Sequence, residues 1–153
     1  MAHVVEILIS ASPASPMESR AIALAVPGRG IDGDRYFFGT GTFAKNPQQP
    51  DFEITLIESE VIEAFARESG LAFTSALARR NLVTHGVALN DLVGIEFSVG
   101  AVRLKGHRLC EPCNYLAKQT HPEVLRGLVH RGGLRAQILT AGEIRAGDAI
   151  ARV

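Results

Sequence analysis

Apolar positions along this chain occur in short runs, and Gly, Pro, Asn or Asp residues separate one run from the next. Short apolar runs between turn residues are typical of β-strands. The pattern predicts strands at residues 3–10, 19–26, 52–57, 81–85, 95–99, 102–105, 134–139 and 149–153. The segments 95–99 and 102–105 are predicted to form a hairpin. A terminal hairpin is predicted from 134–139 and 149–153, joined by a turn at 141–148.

One longer helix is predicted directly after the strand at 52–57. Ser59 is a candidate N-cap, Val61 and Phe65 lie one helical turn apart, and Gly70 is suited to end the helix.

The other helical patterns are shorter. Residues 71–80 predict a helix or turn, and 114–119 and 122–129 predict two short helices, the second with Pro122 at its first position. Since the strands do not alternate regularly with long helices, a doubly wound parallel sheet is disfavoured. The predicted fold is mainly β with peripheral helices (α+β), built on a curled or closed β-barrel.

The size and charge of the chain narrow its class. Its 153 residues suit one domain, and no linker or repeat divides it. A single domain over 1–153 is therefore expected. No apolar stretch reaches the roughly 18 residues of a spanning helix, so no membrane association is expected. The formal net charge is zero, which argues against nucleic acid as a partner. The N-terminus has no basic region, and Glu6 interrupts its apolar run, so a cytoplasmic protein is expected.

A glycine-rich stretch follows residue 26. Gly28, Gly30 and Gly33 match a Gly-x-Gly-x-x-Gly pattern, but no amphipathic helix follows them. The stretch is therefore interpreted as a turn and not as a dinucleotide-binding loop. A long loop is predicted to continue over 39–50, and loops of this length tend to be functional or mobile.

The only cysteines, Cys110 and Cys113, stand together as Cys-Glu-Pro-Cys. So close a pair cannot staple a domain of this size, and it suits a reducing cytoplasm. If Pro112 lies in the first turn of the following helix, the free N–H groups there favour a reactive Cys113 thiolate. Such a thiolate carries sulfur, ligates a metal or exchanges disulfides. Two incidental buried thiols remain the alternative.

A zinc site is another interpretation of the same segment. His107, Cys110 and Cys113 have the spacing His-x-x-Cys-x-x-Cys, and His121 or His130 would have to supply a fourth ligand.

Arginine dominates the basic residues, with 13 Arg against 3 Lys among the 16. Its planar fork suits phosphate and other oxyanions. Several arginines adjoin glycine-rich or polar loops, namely Arg35, Arg79, Arg80, Arg131 and Arg135. An anion pocket is one interpretation, and genome composition is the other. Asp34 beside Arg35 is equally suited to cap a turn.

Six segments, taken in order, resemble the MOSC domain, the module at the C-terminus of molybdenum cofactor sulfurases that also occurs as a stand-alone bacterial protein. The segments are 30–35 (GIDGDR), 54–58 (ITLIE), 79–83 (RRNLV), 92–100 (LVGIEFSVG), 110–113 (CEPC) and 142–148 (GEIRAGD). The resemblance covers about residues 25–153.

The resemblance implies a curled barrel in which Cys113 carries sulfur or coordinates molybdenum. It further implies a pocket for the pterin phosphate of molybdopterin, or for an oxyanion, lined by Asp34, Arg35, Arg79, Arg80 and Asn81. Arg135 is added as a candidate cofactor-binding residue from the arginine pattern. Unlike larger family members, the chain has no aminotransferase-like domain and no lysine in a pyridoxal phosphate context. Pyridoxal phosphate is therefore not expected on it, and sulfur would come from a partner such as a cysteine desulfurase. A molybdoenzyme is the other expected partner.

Three functions remain open. The chain is a sulfurtransferase-like sulfur carrier or a molybdenum-dependent protein that works through Cys113. Alternatively it is a non-catalytic module that binds an anionic pterin or oxyanion, or it exchanges thiols and disulfides through Cys110 and Cys113.

Overall fold

The computed structural model describes residues 1–38 and 50–153. The predicted loop at 39–50 lies outside the described residues, except for Pro50. The strands are β1 His3–Ile9, β2 Glu18–Arg20, β3 Ile22–Val26, β4 Gly30–Ile31, β5 Ile54–Glu58, β6 Leu82–His85, β7 Glu96–Val99, β8 Val102–Leu109, β9 Leu134–Ile138, β10 Gly142–Arg145 and β11 Ile150–Arg152. The α-helices are α1 Ser59–Ser69, α2 Ser75–Ala78, α3 Asn114–Gln119 and α4 Val124–Gly127, and 3-10 helices occupy Pro50–Phe52 and Leu89–Leu92.

The sheet curls strongly, as the sequence predicts. Eight strands pair in the order β11-β7-β8-β9-β5-β6-β1-β2, and β5 and β6 are parallel while the other neighbours are antiparallel. A bridge between His3 and Ala149, together with a 2.9 Å hydrogen bond from the Val4 amide to the Asp148 carbonyl, joins β1 to the residues just before β11. The β11 edge of the sheet therefore meets β1, the strand next to the opposite edge. β10, β3 and β4 form a second, three-stranded sheet.

One predicted strand and one predicted pairing are wrong. The strand predicted at 19–26 is divided at Ala21, because β2 pairs with β1 while β3 pairs with β10 in the other sheet. The predicted terminal hairpin is absent among the described strands, because β9 pairs with β5 and β8, and β11 pairs with β7. The hairpin of β7 and β8 is confirmed.

The ends of the helices differ slightly from the prediction. Glu58, and not Ser59, occupies the N-cap of α1, while Gly70 ends the helix in a left-handed conformation as predicted. α4 begins at Val124, so Pro122 precedes it instead of opening it.

Three strands are buried on both faces. Ile7 and Ile9 of β1 point into the barrel core, and Leu8 between them points to a second cluster beneath the helices. β5 and β6 divide their side chains in the same way, since Leu56 and Leu82 face inward while Ile57 and Val83 pack with helix residues such as Phe65. Alternation along a strand thus builds two cores from one sheet, and the continuous apolar runs reflect it. In the described parts of the chain, no helix is both long and apolar enough to cross a membrane.

Glu53 fixes the turn after β3 against the sheet. Its buried carboxylate accepts hydrogen bonds from the amides of Gly28 (3.0 Å) and Ile138 (3.1 Å). Burial raises the pKa of Glu53, and these two hydrogen bonds and His107 offset part of that increase.

A stability test follows from the raised pKa of Glu53. The folded protein retains the Glu53 proton above the ordinary pKa of 4.5. The stabilisation that comes from this tighter proton binding is therefore fully present below pH 4.5, and it is lost as pH rises through the raised pKa. Glu53→Gln keeps an acceptor oxygen and removes the titration. From pH 4.5 to 7 the wild type should therefore lose stability relative to the variant in urea unfolding. A constant difference between the two proteins would contradict this.

Two glycines provide a second test. A Cβ at Gly133, where φ is +116°, would collide with the Leu56 carbonyl, whereas a Cβ at Gly94, where φ is +76°, meets open space. Gly133→Ala should cost about 3 kcal/mol of unfolding free energy, because strain and collision combine. Gly94→Ala should cost about 1 kcal/mol from the left-handed backbone alone. Urea unfolding measures both, and equal losses would show that the close approach at Gly133 is unimportant.

Candidate functional site

The residues that carry the predicted chemistry meet at one small cavity beside the start of α3. The enclosed space is about 40 Å³. It is lined by Arg35, Arg79, Arg80, Arg135, Cys110, Cys113, Tyr36, Thr55, Glu111, Tyr115 and Leu116. Four arginines and two cysteines therefore share one cavity, and Glu111 is the one acidic residue of its lining.

The Cys-Glu-Pro-Cys segment joins β8 to α3 and is fixed at both ends. The Cys110 amide donates to the Gly133 carbonyl (2.7 Å), and the Cys113 carbonyl accepts from Ala117 (3.0 Å). Cys113 is the N-cap of α3, so Pro112 precedes the helix and does not lie in its first turn. Cys113 does stand at the start of the helix, but its thiol makes no capping hydrogen bond. Both cysteines are free thiols; Cys110 is buried and Cys113 is half-buried.

Arg80 holds this segment in place. Its Nε donates to the Gly132 carbonyl (3.0 Å), and its two terminal nitrogens donate to Ala78 (3.1 Å) and Cys110 (3.2 Å). The side chain is only 8% exposed. Three separated segments are thus tied to one buried cation whose hydrogen-bond acceptors here are neutral carbonyls.

Arg35 is held by the residue before it. Asp34 is completely buried, and its carboxylate accepts from Arg35 Nη1 (3.1 Å) and from the Ser10 amide (3.1 Å). Arg35 also donates to the Arg79 carbonyl (3.3 Å), and its guanidinium lies 4.9 Å from the centre of the Tyr36 ring.

Arg79 ends α2 in a left-handed conformation with φ of 57°, a costly one for a residue with a side chain. Its guanidinium donates to the carbonyls of Ser15 (2.9 Å) and Pro13 (2.9 Å). Burial, and then repulsion by Arg35, lower the pKa of Arg79. A negative charge in the cavity would relieve that repulsion.

Arg135 lies on β9 opposite Thr55 and Arg108. Burial acts to lower the pKa of Arg135, but the anionic forms of Cys110 and Tyr36 raise it overall. A side-chain hydrogen bond joins Arg135 to Tyr36. Arg135 is thus influenced electrostatically by both Cys110 and Tyr36, which line the same cavity.

Asp34 and Asn81, which the resemblance assigns to the pocket, lie behind its lining. The Asn81 side chain accepts from the Thr55 amide (3.1 Å) and donates to the Leu8 carbonyl (3.2 Å), so it connects β5 with β1. Both residues support neighbours that line the cavity, and direct contact with a cofactor stays a prediction for each.

Arg131, which is named from the sequence, and Arg108 bond elsewhere. Arg131 pairs with Glu68 (2.7 Å), and Arg108 pairs with Asp51 at the protein surface. Glu111, the carboxylate of the lining, accepts from the His130 amide (2.7 Å) and pairs with the His130 ring (2.8 Å).

The alternative zinc site is not formed. Within residues 1–38 and 50–153, no three His, Cys, Asp or Glu side chains come together in a metal-binding arrangement. His107 Nε2 instead lies 2.9 Å from the Gln137 side-chain oxygen, and His121 accepts from the Glu123 amide (3.1 Å).

Sequence reasoning did not identify four polar residues of the lining, namely Tyr36, Thr55, Glu111 and Tyr115, or the apolar Leu116. Tyr36 and Glu111 directly adjoin residues that were identified, so proximity to the Gly-Asp-Arg and Cys-Glu-Pro-Cys segments was the available signal. Thr55 and Tyr115 carried no such signal, because only the packing of β5 and α3 brings them to the cavity.

Several solved structures share this fold. The YuaD protein of Bacillus subtilis superposes with a TM-score of 0.78 at 16% identity, over 97% of this chain and 93% of that one. YiiM from Geobacillus stearothermophilus superposes with a TM-score of 0.74 at 16% identity, over 100% of this chain and 75% of that one. YiiM from Escherichia coli superposes with a TM-score of 0.70 at 17% identity, over 100% of this chain and 70% of that one. These identities establish similarity of fold alone.

Comparison with curated proteins finds no match. The model of the MOSC domain, in contrast, matches residues 34–151. That span begins at the buried Asp34, contains both cysteines and reaches β11. The match covers most of the chain, and the solved structures named above share its fold. The chain therefore belongs to the MOSC domain family.

Proposed function

We propose that this MOSC-domain protein carries sulfur as a persulfide on Cys113, or binds the molybdenum cofactor there, for metal–sulfur cofactor assembly or a molybdenum-dependent reaction. The observation that carries the proposal is that Cys113 lines one small cavity together with four arginines. A thiol supplies the nucleophile or metal ligand, and the arginines supply bidentate donors for an oxyanion.

Sulfur transfer needs no redox partner. The Cys113 thiolate attacks the outer sulfur of a donor persulfide, such as that of a cysteine desulfurase. A sulfur–sulfur bond forms on Cys113, the sulfur–sulfur bond of the donor breaks, and the donor thiolate leaves and takes up a proton. Half-buried Cys113 is accessible for this attack, whereas Cys110 is only 1% exposed.

The donor set also suits the molybdenum cofactor. Thiolate is a soft metal ligand, so Cys113 would hold the metal, and Arg35, Arg79 and Arg135 would hold anionic groups of the cofactor. When bound, the cofactor would supply a redox-active metal. The enclosed 40 Å³ accommodates an oxyanion-sized part of the ligand.

A second candidate is a binding module without turnover. It is favoured by the excess of arginines over the one carboxylate of the lining. In this case the arginines matter more than the thiol.

Under either proposal two free thiols suit a reducing compartment, so we propose a cytoplasmic location.

Thiol labelling tests the accessibility of Cys113. Iodoacetamide should modify Cys110→Ser as fast as the wild type, and Cys113→Ser at least about tenfold more slowly, because the remaining Cys110 reacts only when the structure opens. Mass spectrometry follows the reaction, and the two variants should react alike in urea. Faster labelling of Cys110 would contradict the assignment.

A persulfide assay tests the proposal itself. Wild type and Cys110→Ser should each gain the mass of one sulfur from a cysteine desulfurase and cysteine, and Cys113→Ala should not. If both cysteine variants failed to gain sulfur and both also lost activity in a disulfide reduction assay, the result would instead indicate thiol–disulfide exchange.

Molybdenum and pterin are measured on the same proteins after expression in a molybdenum-replete host. Arg35→Lys serves as the arginine variant, because it keeps a charge beside Asp34 and removes the planar fork. Cofactor retained by Cys113→Ala and lost by Arg35→Lys would support the binding module. Neither persulfide nor molybdenum on the wild type would refute the proposal.

A further inference from the structure

Residues 11–17, here called the strap, connect β1 to β2 along one side of the cavity. The strap contains no strand or helix. Its shape is maintained by Ser10, whose hydroxyl donates to the Ser12 carbonyl (2.7 Å) or the Ser15 carbonyl (2.9 Å). Pro13 and Pro16 stiffen it, since proline fixes φ and lacks an N–H.

The strap is attached to the site through two carbonyl oxygens. The Pro13 carbonyl is within hydrogen-bond distance of Arg79 Nη2 (2.9 Å), the Tyr115 hydroxyl (2.7 Å) and Gln119 Nε2 (3.2 Å). The Ser15 carbonyl accepts from Arg79 Nη1 (2.9 Å). A carbonyl oxygen has two lone pairs, so three donors compete at Pro13. Both terminal nitrogens of Arg79 are thus engaged by the strap.

These bonds are weaker than those that an anion would make. The acceptors of Arg79 are neutral carbonyls here, whereas an oxyanion would offer a charged acceptor and the bidentate geometry that suits a guanidinium. The left-handed backbone of Arg79 and the repulsion from Arg35 make its present position costly. An oxyanion in the cavity would satisfy the same two nitrogens and relieve the repulsion.

A larger groove of about 260 Å³ lies on the other side of the strap. Besides Arg79, which lines both the groove and the cavity, the groove is lined by Ala14, Pro16 and Met17 of the strap and by Ala76, Leu77, Gln119 and Thr120. Arg35 Nη1 lies 3.5 Å from the Met17 sulfur, so the two spaces are separated by a thin wall. Displacement of the strap would join them.

We propose that the strap is a latch: an oxyanion in the cavity takes Arg79 from the carbonyls of Pro13 and Ser15, and the released strap joins the cavity to the groove. The ligand is then an oxyanion carried on an apolar body that occupies the groove. This inference rests on the oxyanion site of the proposed function and is independent of the persulfide.

Hydrogen–deuterium exchange and calorimetry with inorganic phosphate test the latch. Phosphate should accelerate amide exchange in residues 11–17. Gln119→Ala removes one donor from the Pro13 carbonyl at an exposed position and should bind phosphate about threefold more tightly. Lys118→Arg, exposed on the same helix, is the control and should match the wild type. Hexyl phosphate should bind more tightly than inorganic phosphate.

Each failure has a distinct signature. Phosphate that binds and slows exchange in the strap, or that binds the wild type and Gln119→Ala equally, overturns the latch alone. Equal affinity for hexyl phosphate and inorganic phosphate overturns the joining of cavity and groove. No phosphate binding by wild type and variant overturns the latch together with the oxyanion site of the proposed function, and the persulfide assay remains a separate test of Cys113.

Discussion

The buried Arg80 guanidinium is the interaction on which the site depends. Each of its three nitrogens donates to a main-chain carbonyl, and the three carbonyls belong to segments far apart in the chain. Leaving those buried carbonyls without donors would cost free energy at each one, so the segments are held together at Arg80. Since the three acceptors are neutral, the positive charge of Arg80 also contributes to the potential in the cavity.

Two other arginines of the cavity are also held in place by hydrogen bonds to the protein. Arg79 is held by carbonyls of the strap, and Arg35 is held by the buried Asp34 and by the Arg79 carbonyl. The structural hydrogen bonds and the proposed anion recognition would therefore use the same side chains. This dual use explains how a chain with no net charge presents a strongly cationic pocket, because the compensating carboxylates lie mostly at the surface or behind the lining.

Local patterns predicted most of the elements. β7, β8 and α3 lie close to their predicted positions, because turn residues and apolar runs act over a few neighbours. The errors concern pairing. Ala21 divides one apolar run between two sheets, and β9 and β11 bind different partners although they are close in sequence. Partner choice in a curled sheet depends on distant strands, which a local pattern does not contain.

The sequence by itself determined which residues are candidates for the chemistry, through the Cys-Glu-Pro-Cys segment, the predominance of arginine and the segments that resemble the MOSC family. Only the tertiary structure decided what each residue contacts. It placed Asp34 and Asn81 behind the lining, buried Cys110 while leaving Cys113 half-exposed, and brought Tyr115 to the Pro13 carbonyl, 102 positions away. The physical reason is that residue type limits what a side chain can donate or accept, whereas its partner and exposure depend on chain segments that come together only on folding.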